Sequence, residues 1–121
     1  MNLFDIVDDF LCQVCIAKNY QYAETHLSED FVFYSLEGEK NKRQTIAFLK
    51  SYLKKHPVYS TTVSVLSCQE NNIALEIYFS YKEKEKFLGF TVAENDRVDK
   101  FHIGFEIENG MITEACELII N

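Results

Sequence analysis

Two glutamates near the end of the chain, Glu114 and Glu117, together with His102, Tyr34, Tyr52 and Tyr78, have the side chains that proton-transfer chemistry needs. A carboxylate held in apolar surroundings has its pKa raised towards the range useful for giving or taking a proton, and a nearby tyrosine can donate to a developing oxyanion. His102 and Glu117 could act as a base and the partner that orients it. The plainer reading of that pair is a cross-strand surface contact worth a few tenths of a kcal/mol. Cys12-x-x-Cys15 has the spacing of a redox motif, but it falls in the middle of a helical pattern, so structural thiols are the better reading. Cys68, Cys116, His26, His56 and His102 are scattered singly, without paired ligand spacing, so no metal and no cofactor is expected.

The element that must position the two glutamates is a closing hairpin over 101–120, turning at Asn109-Gly110. Asn-Gly supplies the two positive-φ positions of a type I′ turn. With a two-residue loop, Ile107 faces Ile112, Phe105 faces Glu114, Ile103 faces Cys116 and Phe101 faces Leu118 on an apolar face. The other face then carries Glu106 opposite Thr113, Gly104 opposite Ala115 and His102 opposite Glu117. A three-residue loop with a glycine bulge would exchange Glu114 for Glu117 on the apolar face. The hydrophobic pattern favours the first register, and in either one glutamate reaches the apolar side.

Helical patterns precede the strands. Leu3, Val7, Phe10, Val14 and Ala17 recur at steps of three and four through 2–18, beside Phe4, Leu11 and Cys15. A short helix over 20–26 follows, ended by Ser28-Glu29-Asp30. Phe31 to Ser35 reads as a first strand. Asn41 can cap a third helix running to about Lys55, with Ile46, Leu49, Tyr52 and Leu53 inward, and Pro57 stops it. Strands are predicted over 59–69, 73–82 and 87–93, with turns at Glu70-Asn71-Asn72 and Glu83-Lys84-Glu85-Lys86. Helices followed by strands predict an α+β fold, with helices packed on one face of a cupped sheet and a pocket between the layers.

The length of 121 residues fits a single domain over 1–121, with 47% apolar and 14% aromatic content suited to a packed core. A formal charge of −7 disfavours a general affinity for nucleic acid or anionic membrane, and neither is expected as a partner. Lys40, Lys42, Arg43, Lys50, Lys54 and Lys55 lie in one stretch with no acid. That basic helix reads as a solvated face, or as a contact for the acidic surface of a second copy. No apolar run approaches a membrane span, and the opening Met1-Asn2-Leu3-Phe4-Asp5 lacks the cations of a signal peptide, so a cytoplasmic protein with reduced cysteines is expected.

Taken in order, the run His26-Leu27-Ser28-Glu29-Asp30-Phe31-Val32-Phe33-Tyr34, the helix Thr45-Ile46-Ala47-Phe48-Leu49-Lys50 and the closing Phe105-Glu106-Ile107-Glu108-Asn109-Gly110-Met111-Ile112 resemble the NTF2-like superfamily over nearly the full length. That superfamily includes SnoaL-like polyketide cyclases, ketosteroid isomerases and many binding or adaptor proteins. The resemblance implies a curved, mostly antiparallel sheet packed on N-terminal helices, a cystatin-like cone with a conical cavity, and a homodimer. Ketosteroid-isomerase chemistry does not carry over, because the positions of its catalytic aspartate, tyrosine and protonated aspartate are taken here by Ser35, Leu11 and Ile103. The leading expectation is a binder of a small, mostly apolar ligand, with walls from Phe31, Phe33, Leu49, Tyr52, Leu53, Ile77, Phe79, Phe101, Ile103 and Phe105. The alternatives are a SnoaL-like isomerase, dehydratase or cyclase working by carboxylate-mediated proton transfer, and a protein-interaction adaptor.

Overall fold

The computed structural model describes residues 2–119. Helix α1 (Leu3–Leu11) starts where the Asn2 side chain accepts the Asp5 backbone N–H at 2.8 Å. It continues not as α-helix but as a wider turn of π type over Cys12–Ile16. The extra residue in that turn moves the apolar stripe on by one. Val14 and Cys15 are buried, while Ala17, expected on the stripe, is exposed. Lys18 then takes a positive φ of 59° and its ammonium donates to the Cys15 carbonyl at 2.9 Å, closing the segment. Helix α2 (Tyr20–His26) follows. Helix α3 (Lys42–Lys55) opens with a capping box, in which Asn41 Oδ1 accepts from Gln44 N and Gln44 Oε1 accepts from Asn41 N, each at 2.9 Å.

Six strands, β1 (Leu27–Ser35), β2 (Gly38–Asn41), β3 (Val58–Gln69), β4 (Asn72–Phe87), β5 (Phe90–Glu108) and β6 (Met111–Glu117), form one sheet in the order β2-β1-β6-β5-β4-β3. All neighbours are antiparallel except β1 and β6, which run parallel. The helices cover the concave face, where Val7, Phe10, Val14 and Leu53 pack with Leu75, Ile77, Phe105 and Ile112. The fold is α+β with a curved mixed sheet. Ser28-Glu29-Asp30, expected to be a turn, lies within β1, because Leu27 already faces the core and the acidic side chains of Glu29 and Asp30 remain in solvent.

Two sheet features differ from the sequence expectation. Glu83 to Lys86 do not turn: β4 runs on to Phe87 and returns through Leu88-Gly89, at φ 51° and 82°, into a β5 of 19 residues. Alternating Lys and Glu resemble a turn in composition, yet a two-stranded ribbon with both faces in water tolerates charge on each side. The second feature is in the closing hairpin. Asn109 and Gly110 have φ 52° and 76°, as a type I′ turn requires, and Ile107 pairs with Ile112. Thr113 is then an extra residue, a bulge, so Glu106 pairs with Glu114, Phe105 with Ala115, Gly104 with Cys116 and Ile103 with Glu117. Neither anticipated register holds beyond the turn. A straight strand would have put the Glu114 carboxylate against the core beside Phe105, and the bulge puts Ala115 there instead. Leu118 lies past the strand, its N–H donating to His102 O at 2.8 Å, and Ile120 falls outside the described residues.

Candidate functional site

Because residues alternate faces, Ile77 and Phe79 on β4 and Phe101, Ile103 and Phe105 on β5 point into the concave side. They enclose, with Leu49 and Tyr52 of α3 and Phe31 and Phe33 of β1, a cavity of about 120 Å³. Leu53 is not in its wall; it is buried deeper in the core. Glu117, one of the two glutamates expected to reach the apolar side, is in the lining, and Phe10, Leu11, Cys15, Leu27, Thr45, Phe48, Ile112 and Ala115 complete it. The bulge at Thr113 accounts for Ala115 and Glu117, and Thr45 and Phe48 stand one turn before Leu49 and Tyr52 on the same side of α3. The lining is almost wholly apolar.

Three polar features break that surface. Thr45 is buried, and its Oγ1 has no hydrogen-bond partner among the described residues. Tyr52 donates its hydroxyl to Asp99 Oδ2 at 2.5 Å, and Tyr81 donates to Asp99 Oδ1 at 3.4 Å. Burial, then the hydrogen bond to the Asp99 carboxylate, pushes the Tyr52 phenol well above its ordinary range, so it stays protonated. The ring of His56 lies 4.9 Å from Tyr52 and 4.7 Å from Tyr81, closing an aromatic group around this carboxylate. Asp99 escaped the sequence reading because 94–100 looks like a charged loop, yet counting back in twos from Phe105 through Phe101 places it on the cavity face. Glu117 reaches the lining from the end of β6.

The remaining candidates lie elsewhere. Glu114 sits on the convex face across from Glu106, where burial and then the neighbouring carboxyl raise its pKa. His102 does not meet Glu117; its Nε2 lies 2.8 Å from Glu76 Oε2, and Tyr78 donates to Glu76 Oε1 at 2.6 Å. Those contacts, Tyr78 first, hold the Glu76 carboxyl below its usual range. Tyr78 and Tyr34, both expected inward, are therefore on the convex side, Tyr34 exposed and paired with Cys116. Ser35, at the position of the ketosteroid-isomerase base, donates to the Gly38 carbonyl at 2.7 Å and accepts from Lys40 at 3.2 Å, while Leu11 and Ile103 are apolar wall. In the basic segment, the Lys40 ammonium lies over the Phe48 ring at 5.0 Å, that of Lys50 lies over Tyr20 at 5.4 Å, and Lys42 donates to the Glu24 carbonyl at 2.6 Å. Among the described residues all four cysteines are free, no three of His, Cys, Asp and Glu cluster as a metal site, and no helix is long and apolar enough to cross a membrane.

No protein-family model and no curated protein matches the sequence. Solved structures do match the fold. A SnoaL-like polyketide cyclase from Agrobacterium tumefaciens superposes with a TM-score of 0.70 at 12% identity, over 100% of this chain and 93% of that one. TsrD from Streptomyces laurentii gives 0.71 at 14% identity, over 96% and 86%. A de novo designed protein with a curved β-sheet gives 0.69 at 15% identity, over 99% and 88%. That a designed chain matches as well as natural ones shows that the likeness is one of backbone architecture. The arrangement of helices on a curved sheet, with a cavity beneath α3, is the fold of these SnoaL-like structures.

Proposed function

We propose that this chain binds a small, mostly apolar molecule carrying one hydrogen-bonding oxygen, held in the cavity between α3 and the concave face of the sheet. The observation that carries the reading is the buried Thr45 hydroxyl, unpaired among the described residues in an otherwise apolar lining. An unpartnered buried hydroxyl costs about 1–3 kcal/mol, and a ligand oxygen or hydroxyl meeting Oγ1 would recover it. An apolar cavity of this size suits one aromatic ring or a short branched chain.

Calorimetric titration with phenol and with toluene tests the reading. Phenol is expected to bind more tightly than toluene, and Thr45→Val to abolish that preference while keeping the binding of toluene. Binding of neither compound, or a preference for phenol that survives in Thr45→Val, would remove the proposal.

A second reading, proton-transfer catalysis of the isomerase, dehydratase or cyclase kind, draws support from Asp99. Its carboxylate lies behind the cavity wall, hydrogen-bonded to the wall residue Tyr52 and to Tyr81. The names of the SnoaL-like structural neighbours point the same way. In this reading Asp99 exchanges the proton and Tyr52 positions it, in place of Glu114, His102 and Tyr34.

A further inference from the structure

The cavity is graded from an inner end to an open rim. Within its lining Thr45 and Ala115 are buried, whereas Phe33 and Glu117 are half-buried and Phe48 is exposed. Two elements run outward along this gradient. On β6, Ala115 and Glu117 are two residues apart on one face of the strand, a step of about 6.6 Å. On α3, Thr45 and Phe48 are three residues apart, about 4.5 Å along the helix axis. The buried Thr45 hydroxyl therefore stands at the inner end and the Glu117 side chain at the rim, separated by about the length of an aromatic ring with a short stem.

Glu117 is the one charged side chain among the described lining residues. It stands on the concave face, paired with Ile103 on β5, and it enters none of the ion pairs of the described residues. On the neighbouring strand Phe33 pairs with Ala115, and the chain already sets a cation over the aromatic rings of this rim. Lys40 Nζ lies 5.9 Å from the Phe33 ring centre and 5.0 Å from that of Phe48. That ammonium donates to Ser35 Oγ at 3.2 Å and is not part of the lining. The charge that a guest meets in the wall is the carboxylate.

We propose, resting on the binding site described above, that the guest is a primary arylalkylamine with an oxygen on its ring. The ring fills the apolar cavity, the oxygen meets Thr45 Oγ1, and the ammonium emerges at the rim to pair with the Glu117 carboxylate beside the rings of Phe33 and Phe48. Because the rim is open to water, the amine keeps its charge without the cost of a fully buried ion. The walls supply the affinity and the carboxylate selects the cation. A guest with a carboxylate at the same place would meet a like charge and bind more weakly.

Calorimetric titration at about pH 7, where an alkylamine is protonated, compares para-ethylphenol, tyramine and para-hydroxyphenylpropanoate, which share a ring and hydroxyl and differ in the charge of the tail. Tyramine is expected to bind about tenfold more tightly than para-ethylphenol, the size of one charge-assisted hydrogen bond, and the propanoate to bind most weakly. Glu117→Gln should bring the ratio of the tyramine and para-ethylphenol affinities close to one. Binding of para-ethylphenol without a preference for tyramine, a preference that survives in Glu117→Gln, or tighter binding of the propanoate, which would assign the rim to Lys40, would each overturn the amine and leave the cavity as a binding site. Failure of all three probes to bind would overturn the amine and the binding site together.

Discussion

The two faces of the sheet are built from the same strands, one residue out of phase, and they follow different rules. On the concave face Leu75, Ile77, Phe79, Ile103 and Phe105 meet the helices. One residue away, Glu76, Tyr78 and His102 are hydrogen-bonded and Glu106 stands across from the like carboxyl of Glu114 on the convex face. The concave face owes its stability to area removed from water, and the convex face to the identity of each neighbour. The same strands thus support a cavity on one side and polar clusters on the other.

The contrast is tested most strongly by removing bulk from each side. Ile77→Ala, at a position 1% exposed, should cost about 2–5 kcal/mol, read from urea unfolding. Tyr78→Phe, its neighbour on the opposite face, removes only the hydroxyl that donates to Glu76 and should lower the unfolding midpoint much less; equal losses would mean that both faces are packed. A smaller effect is expected from deleting Thr113. Since this residue is the one in excess, Ala115 and Glu117 stay concave and Glu114 and Cys116 stay convex after its loss. The cost should be about 1 kcal/mol, the value of the lost bond from Thr113 Oγ1 to the Glu106 carbonyl. A collapse of the fold on deletion would show that the bulge supplies curvature that the strands cannot do without.

The smallest expected effect concerns pH, and it separates two carboxylates on one face. The Glu114 pKa is raised in the fold, so its favourable contribution is complete below the unfolded value near 4.5 and is lost as pH rises through the folded value. Glu76 is lowered, so its contribution is present above 4.5 and is lost as pH falls through its folded value. Glu114→Gln should therefore be the more stable protein at about pH 7 and should lose that advantage well below 4.5. An advantage that did not change with pH would point to packing instead of charge.

The elements that could be read in advance are those whose signal is periodic or has a defined cap. Asn41 marked the start of α3, and Asn109-Gly110 marked the last turn. The alternation from Ile73 through Phe79 gave the strand that supplies much of the cavity wall. What stayed hidden depends on single residues out of step. The Thr113 bulge has no composition of its own, and it alone decides that Glu117, and not Glu114, lines the cavity. Asp99 was concealed by the charges on either side of it, which belong to a ribbon solvated on both faces. The π turn was concealed because one extra residue per turn still leaves apolar residues on the buried side.

That turn also separates two sulfurs. Cys12 is exposed, whereas Cys15 is buried, lines the cavity and has its thiol pushed up to about 12 by burial. An alkylating reagent reaches the first directly but meets the second only when the packing over it opens. Cys15 is thus a native clock for the breathing of the cavity wall. A guest that holds the wall shut would slow the clock, making occupancy measurable without a label on the guest.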